Sequence, residues 1–441
     1  MLKVSIPNNN LIERKYIIHT LLSEFLGLRY SIDIDDNSVD YKIFVNDNVV
    51  VIEDQFFSFY PKELSYLCEK AIPEKVTRVQ NELLIEADLP VIYGGKKCII
   101  NTNKIECDID IFASSFFMIT RWEEYVNGSL DPYNRFDYKE SIAYKNDFLH
   151  RPVVNEYVEF LWACLLKSGY KGERKNKEIK PVFTHDIDRL FPGTLRIIIG
   201  DILKRRQFKL TFQHLGKYLK SGLNPYDTFD FIMDKSDEIG EKSHFYFMSS
   251  NSTINYDTKH YLNSKSFARI LTRIHKRGHI VGFHPGYSTY NNADRFEEEK
   301  NILKNRVAAE IKEGRQHYLR FKNPETFRIW EANGMELDST LGYALKEGFR
   351  CGTGDEFYVF DILERKQLTL KERPLIIMDG TLKKQYSNEK AIEIIRYYIS
   401  ISKKYNSTLT FLFHNDVFYL DSWSGYRELY SEIFEVLKNG H

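Results

Sequence analysis

Two aspartates separated by one residue, Asp186 and Asp188, follow a short apolar run that begins at Pro181. Such a run is typical of a buried strand. Residues two apart in an extended chain point to the same side, so both carboxylates can face one way at the end of this strand. One of them can then bind a metal ion while the other stays free to act as a base. A loop rich in turn-forming Asp is the alternative interpretation of this D-x-D pattern.

Other side chains suited to acid–base chemistry or metal binding occur downstream, in predicted strands or just beyond them. Because the carboxyl-terminal ends of parallel strands share one rim, we expect these side chains to lie close together. They are His284 after the run 279–283, Arg315 and His317 within the run 315–321, Asp379 after the run 374–378, and His414 after the run 408–413.

The elements that must position these residues alternate between strand and helix from residue 181 onward. Alternating βα units favour a parallel sheet or barrel, and their number favours a (β/α)7-like barrel. The predicted strands are 181–184, 243–248, 279–283, 315–321, 336–343, 349–353, 374–378 and 408–413. The predicted helices are 228–239, 266–276, 294–311, 324–332, 390–404 and 427–437, with basic helical segments between the first strand and about Ser221.

The first part of the chain has a different pattern. Short strands and helices mix over residues 1–110, which predicts a smaller α+β domain spanning 1–170, and no metal or phosphate motif occurs in it. The polar and aromatic stretch 127–147 fits either a binding rim or a structural connection between domains. A charged, glycine-bearing stretch at 169–180 predicts a domain boundary. We therefore expect residues 178–441 to form a second domain that folds on its own.

Taken together, the downstream residues resemble the polysaccharide deacetylase family, the NodB-homology or carbohydrate-esterase-4-like metal-dependent deacetylases. The resemblance covers about 181–441, and the motifs follow the order of the family. Residues 184–188 (THDID) are similar to its first motif, and residues 278–285 (GHIVGFHP) to its second. Residues 315–318 (RQHY) take the place of an R-P-P-Y motif, and residues 410–414 (TFLFH) are similar to the final L-x-H motif.

The resemblance implies a metal-dependent hydrolase with an α/β barrel and assigns a role to each of these side chains. The implied reaction is metal-assisted hydrolysis of an amide or ester, with Zn²⁺ as the metal ion. The implied substrate is an N-acylated or O-acylated sugar of a bacterial surface glycan or its precursor. The implied roles are general base for Asp186, metal ligands for Asp188 and His284, orientation of the base for Arg315, acid for His414, and orientation of that acid for Asp379.

The sequence departs from the family pattern at one metal ligand. The second motif normally carries another histidine four residues after the first, and Ser288 occupies that position here. A serine hydroxyl is a poor ligand for Zn²⁺ beside histidine or carboxylate. We expect His317 to supply the third ligand, since its strand is predicted to reach the same rim. His279, at the start of its strand, is expected at the far end of the barrel, and His275 is expected in solvent.

Two other classes of function remain open at this point. A sugar-nucleotide glycosyltransferase also uses a D-x-D motif, to hold Mn²⁺ or Mg²⁺, but it would not require His284 and His414 at strand ends. A glycan-binding pseudoenzyme would keep the fold and lose the metal, and Ser288 favours that alternative.

The amino-acid composition limits the binding partners and the cellular compartment that we expect. The 62 basic and 62 acidic residues cancel, which argues against a nucleic-acid-binding protein. The five cysteines form no C-x-x-C pair, and no basic stretch followed by an apolar region begins the chain. No stretch reaches 18 uninterrupted apolar residues, so no membrane span is expected. A cytoplasmic protein is the expectation that follows, and a carbohydrate substrate is the partner that the resemblance implies.

Overall fold

The computed structural model describes residues 1–176, 178, 180–190, 224, 226–250, 256–257, 261–418 and 421–438. The basic helical segments predicted before Ser221 lie outside these residues. Among the residues described, no helix is both long and apolar enough to cross a membrane.

The first 170 residues build a six-stranded mixed sheet with helices packed on it. Its strand order is β2-β1-β3-β4-β8-β7, and β5 pairs with β6 in a separate antiparallel ribbon. Strands β1 and β2 are parallel, as are β4 and β8, and the other neighbours are antiparallel. The strands are β1 (Leu2–Pro7), β2 (Tyr30–Asp35), β3 (Tyr41–Val45), β4 (Asn48–Ile52), β5 (Thr77–Val79), β6 (Leu89–Val91), β7 (Gly94–Ile100) and β8 (Lys104–Ile109).

One helix of this first part lies entirely inside the molecule. Asp110 caps it by accepting a hydrogen bond from the backbone N–H of Ala113. All ten residues of that helix, α2, are buried. The helices are α1 (Leu11–Ile18), continued by a π-helical turn at His19–Phe25, α2 (Ile111–Thr120), α3 (Trp122–Val126), α4 (Ile142–Lys145) and α5 (Val153–Lys167).

The second part is organised around a nine-stranded sheet with the order β14-β15-β13-β12-β11-β10-β9-β17-β16. Every neighbouring pair is parallel except β14 and β15. The central strands are uniformly buried, as expected for a parallel sheet with both faces covered. The strands are β9 (Pro181–Ile187), β10 (Ser243–Phe247), β11 (Ile280–Phe283), β12 (Glu313–Gly314), β13 (Leu337–Asp338), β14 (Phe357–Asp361), β15 (Lys366–Glu372), β16 (Ile377–Met378) and β17 (Leu409–Leu412).

Six of the helices described in this part agree closely with the predicted ones, and the helix Asp379–Gln385 was not predicted. Side-chain caps at Ser264, Asn292 and Ser387 accept hydrogen bonds from the first turns of three of them and define where each begins. The helices are α6 (Phe229–Asp237), α7 (Lys265–Lys276), α8 (Ala293–Val307), α9 (Glu325–Ala332), α10 (Asp379–Gln385), α11 (Asn388–Tyr405) and α12 (Tyr426–Lys438).

The predicted barrel is not closed by strand pairing in the described residues. After β13 the ladder continues to β15, which forms an antiparallel hairpin with β14, instead of reaching β16. Loop backbone spans the remaining gap, where the N–H of Leu375 bonds to the carbonyl of Leu341. The fold is therefore a mixed α/β structure around an open, largely parallel sheet, and the (β/α)7-like barrel prediction was wrong in this respect.

Three strand predictions need correction as well. The predicted strand 315–321 is absent: β12 ends at Gly314, and a 3₁₀ turn follows at His317–Leu319. The predicted strand 349–353 is a turn, and the predicted strand 336–343 shortens to β13. The hairpin of β14 and β15 was missed. Its inward residues alternate with exposed ones, so it lacks the continuous apolar run of the central strands.

The two parts of the chain share one continuous apolar core. Polar contacts also cross between them. The hydroxyl of Tyr16 donates to the carbonyl of Tyr358 at 2.7 Å. Arg350 pairs with Glu124 through hydrogen bonds of 2.9 and 2.5 Å, and both side chains are almost fully buried. Removing one member of a buried ion pair leaves the other charge without compensation.

We therefore expect Arg350→Ala to lower the free energy of unfolding by about 3–5 kcal/mol, because Glu124 loses one of its guanidinium partners. Urea titration followed by circular dichroism measures this. Arg396→Ala is the matched control, since Arg396 forms an exposed pair with Glu432, and its effect should stay within about 0.5 kcal/mol. Equal destabilisation by the two variants would contradict the importance of the buried pair.

Candidate functional site

Seven side chains predicted from the sequence lie at or just after the carboxyl-terminal ends of strands. Asp186 belongs to β9 and Asp188 follows it, His284 follows β11, Arg315 and His317 follow β12, Asp379 begins α10 after β16, and His414 lies two residues beyond β17. The parallel register aligns these ends. Close approach of β12 to β11 needs a glycine at position 314, because a Cβ there would overlap the carbonyl oxygen of Phe283.

Asp188, His284 and His317 bring their ligand atoms within 4.8 Å of one another. The Nε2 atom of His284 is 3.3 Å from Oδ1 of Asp188, and the Nε2 atom of His317 is 3.8 Å from the same oxygen. Both histidine side chains are buried, and the Asp188 side chain is 29% exposed. The cluster is thus open to solvent on its carboxylate side.

The hydrogen bonds of His284 determine which of its nitrogens is free. Its Nδ1 lies 2.7 Å from the backbone carbonyl of Arg315, which can only accept, so Nδ1 carries the proton. In the neutral ring Nε2 then carries a lone pair, which is directed at Oδ1 of Asp188. Neither Nε2 of His284 nor Oδ1 of Asp188 has a hydrogen-bond partner among the described residues. Two buried acceptors that face each other favour a cation between them.

His317 is held by a carboxylate on its far side. Its Nδ1 donates to Oδ1 of Asp257 at 3.1 Å, and the backbone N–H of Tyr287 donates to the same oxygen at 2.8 Å. Ser250 donates to the other oxygen of Asp257 at 2.8 Å. A carboxylate that orients a histidine in this way is the usual support of a metal-binding imidazole.

The charges of this cluster are strongly coupled. Burial lowers the pKa of His317, but Asp188 and Asp257 outweigh that effect and raise the pKa to about 9. Burial raises the pKa of Asp188, but the two histidines outweigh it and hold the pKa well below its usual range. A metal ion must therefore displace a proton from His317, and metal affinity falls as the pH is lowered.

The donor set fits Zn²⁺. Two imidazoles and one carboxylate with a solvent-accessible side are typical of sites that leave a position for water or substrate. Ligand atoms around a tetrahedral Zn²⁺ stand roughly 3.4 Å apart, close to the separations of the two imidazole nitrogens from Asp188. Ser288 lies in a turn after β11. The Nδ1 atom of His279 accepts from the N–H of Ser243, away from the cluster, and His275 is exposed.

Arg315 connects the aspartates to the neighbouring strands. Its guanidinium is fully buried and donates to Oδ1 of Asp186 at 3.0 Å and to the hydroxyl of Thr184 at 2.8 Å. It also donates to the carbonyl and the hydroxyl of Ser339, both at 2.8 Å. Oδ2 of Asp186 lies 3.8 Å from Nδ1 of His284. Asp186 is therefore fixed in place beside the cluster of Asp188, His284 and His317.

His414 and Asp379 form a second oriented pair. The carboxylate of Asp379 accepts from the backbone N–H of His414 at 2.6 Å and from its Nδ1 at 3.0 Å. Burial lowers the pKa of His414, but Asp379 outweighs it, with Asp188 and Asp186 adding to the effect, and raises the pKa well above its usual value. The imidazole is 25% exposed and its Nδ1 is bonded to Asp379. Nε2 is therefore the nitrogen that can contact a ligand.

Aromatic side chains pack beside the cluster. The rings of Tyr256, Tyr287 and Tyr318 pack together with that of Tyr133 from the first part of the chain. The ring of Tyr318 lies 4.7 Å from that of His317. Leu319, the next residue along, belongs to a small buried apolar cluster with Leu375 and Leu412, against which Ala344 and Met378 pack.

The first part of the chain also holds the turn that carries His317. Tyr318 and Leu319 both have left-handed backbone angles, with φ of 61° and 55°, a conformation unfavourable for residues with a Cβ. Arg135 donates to the carbonyl of Tyr318 at 3.1 Å, and Arg320 donates to the carbonyl of Tyr133 at 3.0 Å. These bonds compensate for the strain of the turn.

Sequence reasoning missed Asp257, Ser339 and the contacts of Arg135. Asp257 stands in a polar stretch without periodicity, so nothing in the sequence distinguishes it from a turn residue. Ser339 follows a two-residue strand, too short to predict. Arg135 lies in the stretch for which a binding rim was one of two interpretations.

Residues 2–170 match a model described as a family of unknown function, DUF7033. No curated protein matches the sequence.

Several solved structures are similar to this chain at low identity. A protein from Mycobacterium smegmatis assigned as a polysaccharide deacetylase is 14% identical over 60% of this chain and 85% of its own, with a TM-score of 0.41. A CE4 family pseudoenzyme from Bacillus anthracis is 8% identical over 60% of this chain and 62% of its own, with a TM-score of 0.32. A 4-alpha-glucanotransferase from Thermococcus litoralis is 15% identical over 60% and 38%, with a TM-score of 0.38. At these scores none of the similarities bears on the activity of this chain.

We expect Asp257→Asn to weaken Zn²⁺ binding by about 10–100-fold, because His317 loses the charge that orients it. His317→Ala should remove a ligand and weaken binding further. Titration against a competing chelator dye measures both affinities.

Ser288→Ala is the control for these variants, and it should bind Zn²⁺ as the parent does. Loss of metal in Ser288→Ala with retention in His317→Ala would contradict the assignment of His317 as the third ligand.

Proposed function

We propose that this protein is a metal-dependent deacetylase that removes an acyl group from an N-acylated or O-acylated sugar of a glycan. The observation that carries the proposal is the position of three elements on one rim. A cluster of possible metal ligands, a fixed carboxylate and an oriented imidazole all lie at the ends of parallel strands. Metal-assisted hydrolysis of an amide or ester uses these three elements.

The metal would be held by Asp188, His284 and His317. When bound, Zn²⁺ would supply Lewis-acid polarisation of the acyl oxygen and of the attacking water. The Nδ1–H groups of both histidines have hydrogen-bond acceptors in place, so Nε2 of each is the nitrogen left for the metal. His317 would first release its second proton, because its pKa is about 9.

Asp186 would take the proton from water. Its position is fixed because Arg315 donates to one of its oxygens, which leaves the other free to accept. Arg315 is a positioning residue, since all of its bonds run to the protein and none is directed at the solvent-accessible side of the cluster.

His414 would protonate the leaving amine or alkoxide. It is suited to this because its raised pKa keeps the ring charged near neutral pH. Asp379 accepts a hydrogen bond from Nδ1–H of His414, so the proton on Nε2 is the one available for transfer. The charged ring also favours the negative oxygen of a tetrahedral intermediate.

An aromatic surface beside the cluster supports a sugar as substrate. The tyrosine cluster presents Tyr256, which is 44% exposed, and aromatic faces favour the apolar faces of sugar rings.

Asp186→Asn should lower the rate of acetate release by about 10²–10⁴-fold, the usual contribution of a general base. Zn²⁺ binding should persist, because all three proposed ligands remain. The assay is enzymatic detection of acetate from acetylated chito-oligosaccharides, with and without chelator. Near-normal release by this variant would contradict the role of Asp186. Absence of release by the metal-loaded parent would contradict the deacetylase proposal and favour a glycan-binding protein.

Asp379→Asn should move the alkaline limb of the pH–rate profile to lower pH, because His414 loses the charge that raises its pKa. The sign follows from the pKa of His414, which Asp379 raises. Activity requires the protonated ring, so it is lost as pH rises through that pKa, and a lower pKa brings the loss earlier. Profiles of kcat for both proteins measure the shift. An unchanged alkaline limb would contradict the assignment of His414 as the acid.

A further inference from the structure

A cleft lies between the first part of the chain and the loops around the candidate site. Residues 131–139 form one wall, and residues 342–345 with Leu319 and Gln385 form much of the other. Its volume is about 290 Å³, near the lower end of the range for small-molecule sites and suited to one sugar ring. Nothing in the proposed reaction uses this cleft.

The cleft adjoins the small apolar cluster that contains Leu319. Leu319 and Ala344 line the cleft and also pack with Leu412 in the small apolar cluster. Leu319 lies two residues after His317, and Leu412 lies two residues before His414. A ligand in the cleft would therefore be a neighbour of the group that reacts at the metal.

The charges along the cleft are largely compensated within the protein. The guanidinium of Arg135 bonds to Asp131 and to the carbonyl of Tyr318. That of Arg350 bonds to Glu124 and to the carbonyl of Gly342. Both cations are buried and occupied, so neither is available to a phosphate or carboxylate.

What the walls offer instead is aromatic surface and neutral polar groups. The half-buried ring of Tyr138 lies 6.2 Å from that of Tyr343, and both line the cleft beside the amide of Gln385. Lys139 is exposed at the edge, with its ammonium group 5.9 Å from the centre of the Tyr138 ring. Aromatic faces with uncharged hydrogen-bonding groups are suited to a hydroxyl-rich ring.

We propose that this cleft binds an uncharged pyranose ring adjacent to the acylated one, so that residues 131–139 help to select the glycan. This inference rests on the proposed function and deepens it: the first part of the chain would form a subsite of the same active centre. A ligand of at least two linked sugars is then the substrate class, and a free monosaccharide would fill only the metal-side position.

The test is calorimetric titration of the full-length protein with triacetylchitotriose, cellotriose and maltotriose, and with the matching monosaccharides N-acetylglucosamine and glucose. We expect at least one trisaccharide to bind about tenfold or more tightly than its monosaccharide, a gain of about 1.4 kcal/mol. Leu345→Trp, which fills the cleft, and Tyr138→Ala, which removes its aromatic wall, should both abolish this gain and leave monosaccharide affinity unchanged.

Matched substitutions at exposed positions elsewhere serve as controls. Leu166→Trp and Tyr397→Ala change residues that are 47% and 37% exposed on α5 and α11, and they should bind like the parent. The proposal is overturned if no trisaccharide binds more tightly than its monosaccharide. It is also overturned if the cleft variants retain the gain, or lose trisaccharide and monosaccharide affinity equally.

Acetate release is measured on the same preparations, so that the two proposals fail separately. Absence of release with retained trisaccharide preference rejects the deacetylase and keeps the sugar-binding cleft. Release from the acylated sugars without trisaccharide preference keeps the deacetylase and rejects the cleft.

Discussion

The candidate site depends on one buried cation, the guanidinium of Arg315. A charge without solvent contact is costly unless nearly all of its N–H groups are satisfied, and here the partners lie on β9 and after β13. The backbone of Arg315 also orients a proposed metal ligand, because its carbonyl accepts a hydrogen bond from Nδ1–H of His284. One residue thus fixes the orientation of both the proposed base and a proposed ligand. Its burial requires the close approach of β11 and β12, and Gly314 makes that approach possible.

Much of this arrangement could be predicted because parallel strands place their ends on one rim. The apolar runs before Asp186 and His414 identified their strands, and the spacing of two residues in D-x-D placed both carboxylates on one side. The apolar run 374–378 identified Asp379, the motif at 315–318 identified Arg315, and Ser288 directed attention to His317. The structure brings these side chains together. Their catalytic and metal-binding roles remain proposals.

Other features could not be predicted, for identifiable physical reasons. Closure of a barrel depends on long-range pairing, and the hairpin of β14 and β15 takes the place beside β13 that closure would need. His317 was expected in a strand, yet it lies in a turn whose left-handed residues are held by contacts from Arg135, far away in sequence. Asp257 supports His317 from a segment with no periodic pattern. Tertiary contacts decide all three, and local sequence carries no signal for them.

The central claim is that Asp188, His284 and His317 form one metal site, and anomalous diffraction at the zinc edge tests it most directly. Crystals of the full-length protein grown with equimolar Zn²⁺ should show one strong peak within about 2.0–2.2 Å of Nε2 of both histidines and of a carboxylate oxygen of Asp188. A peak at other residues, or no peak on this rim while the protein is intact, would contradict the account.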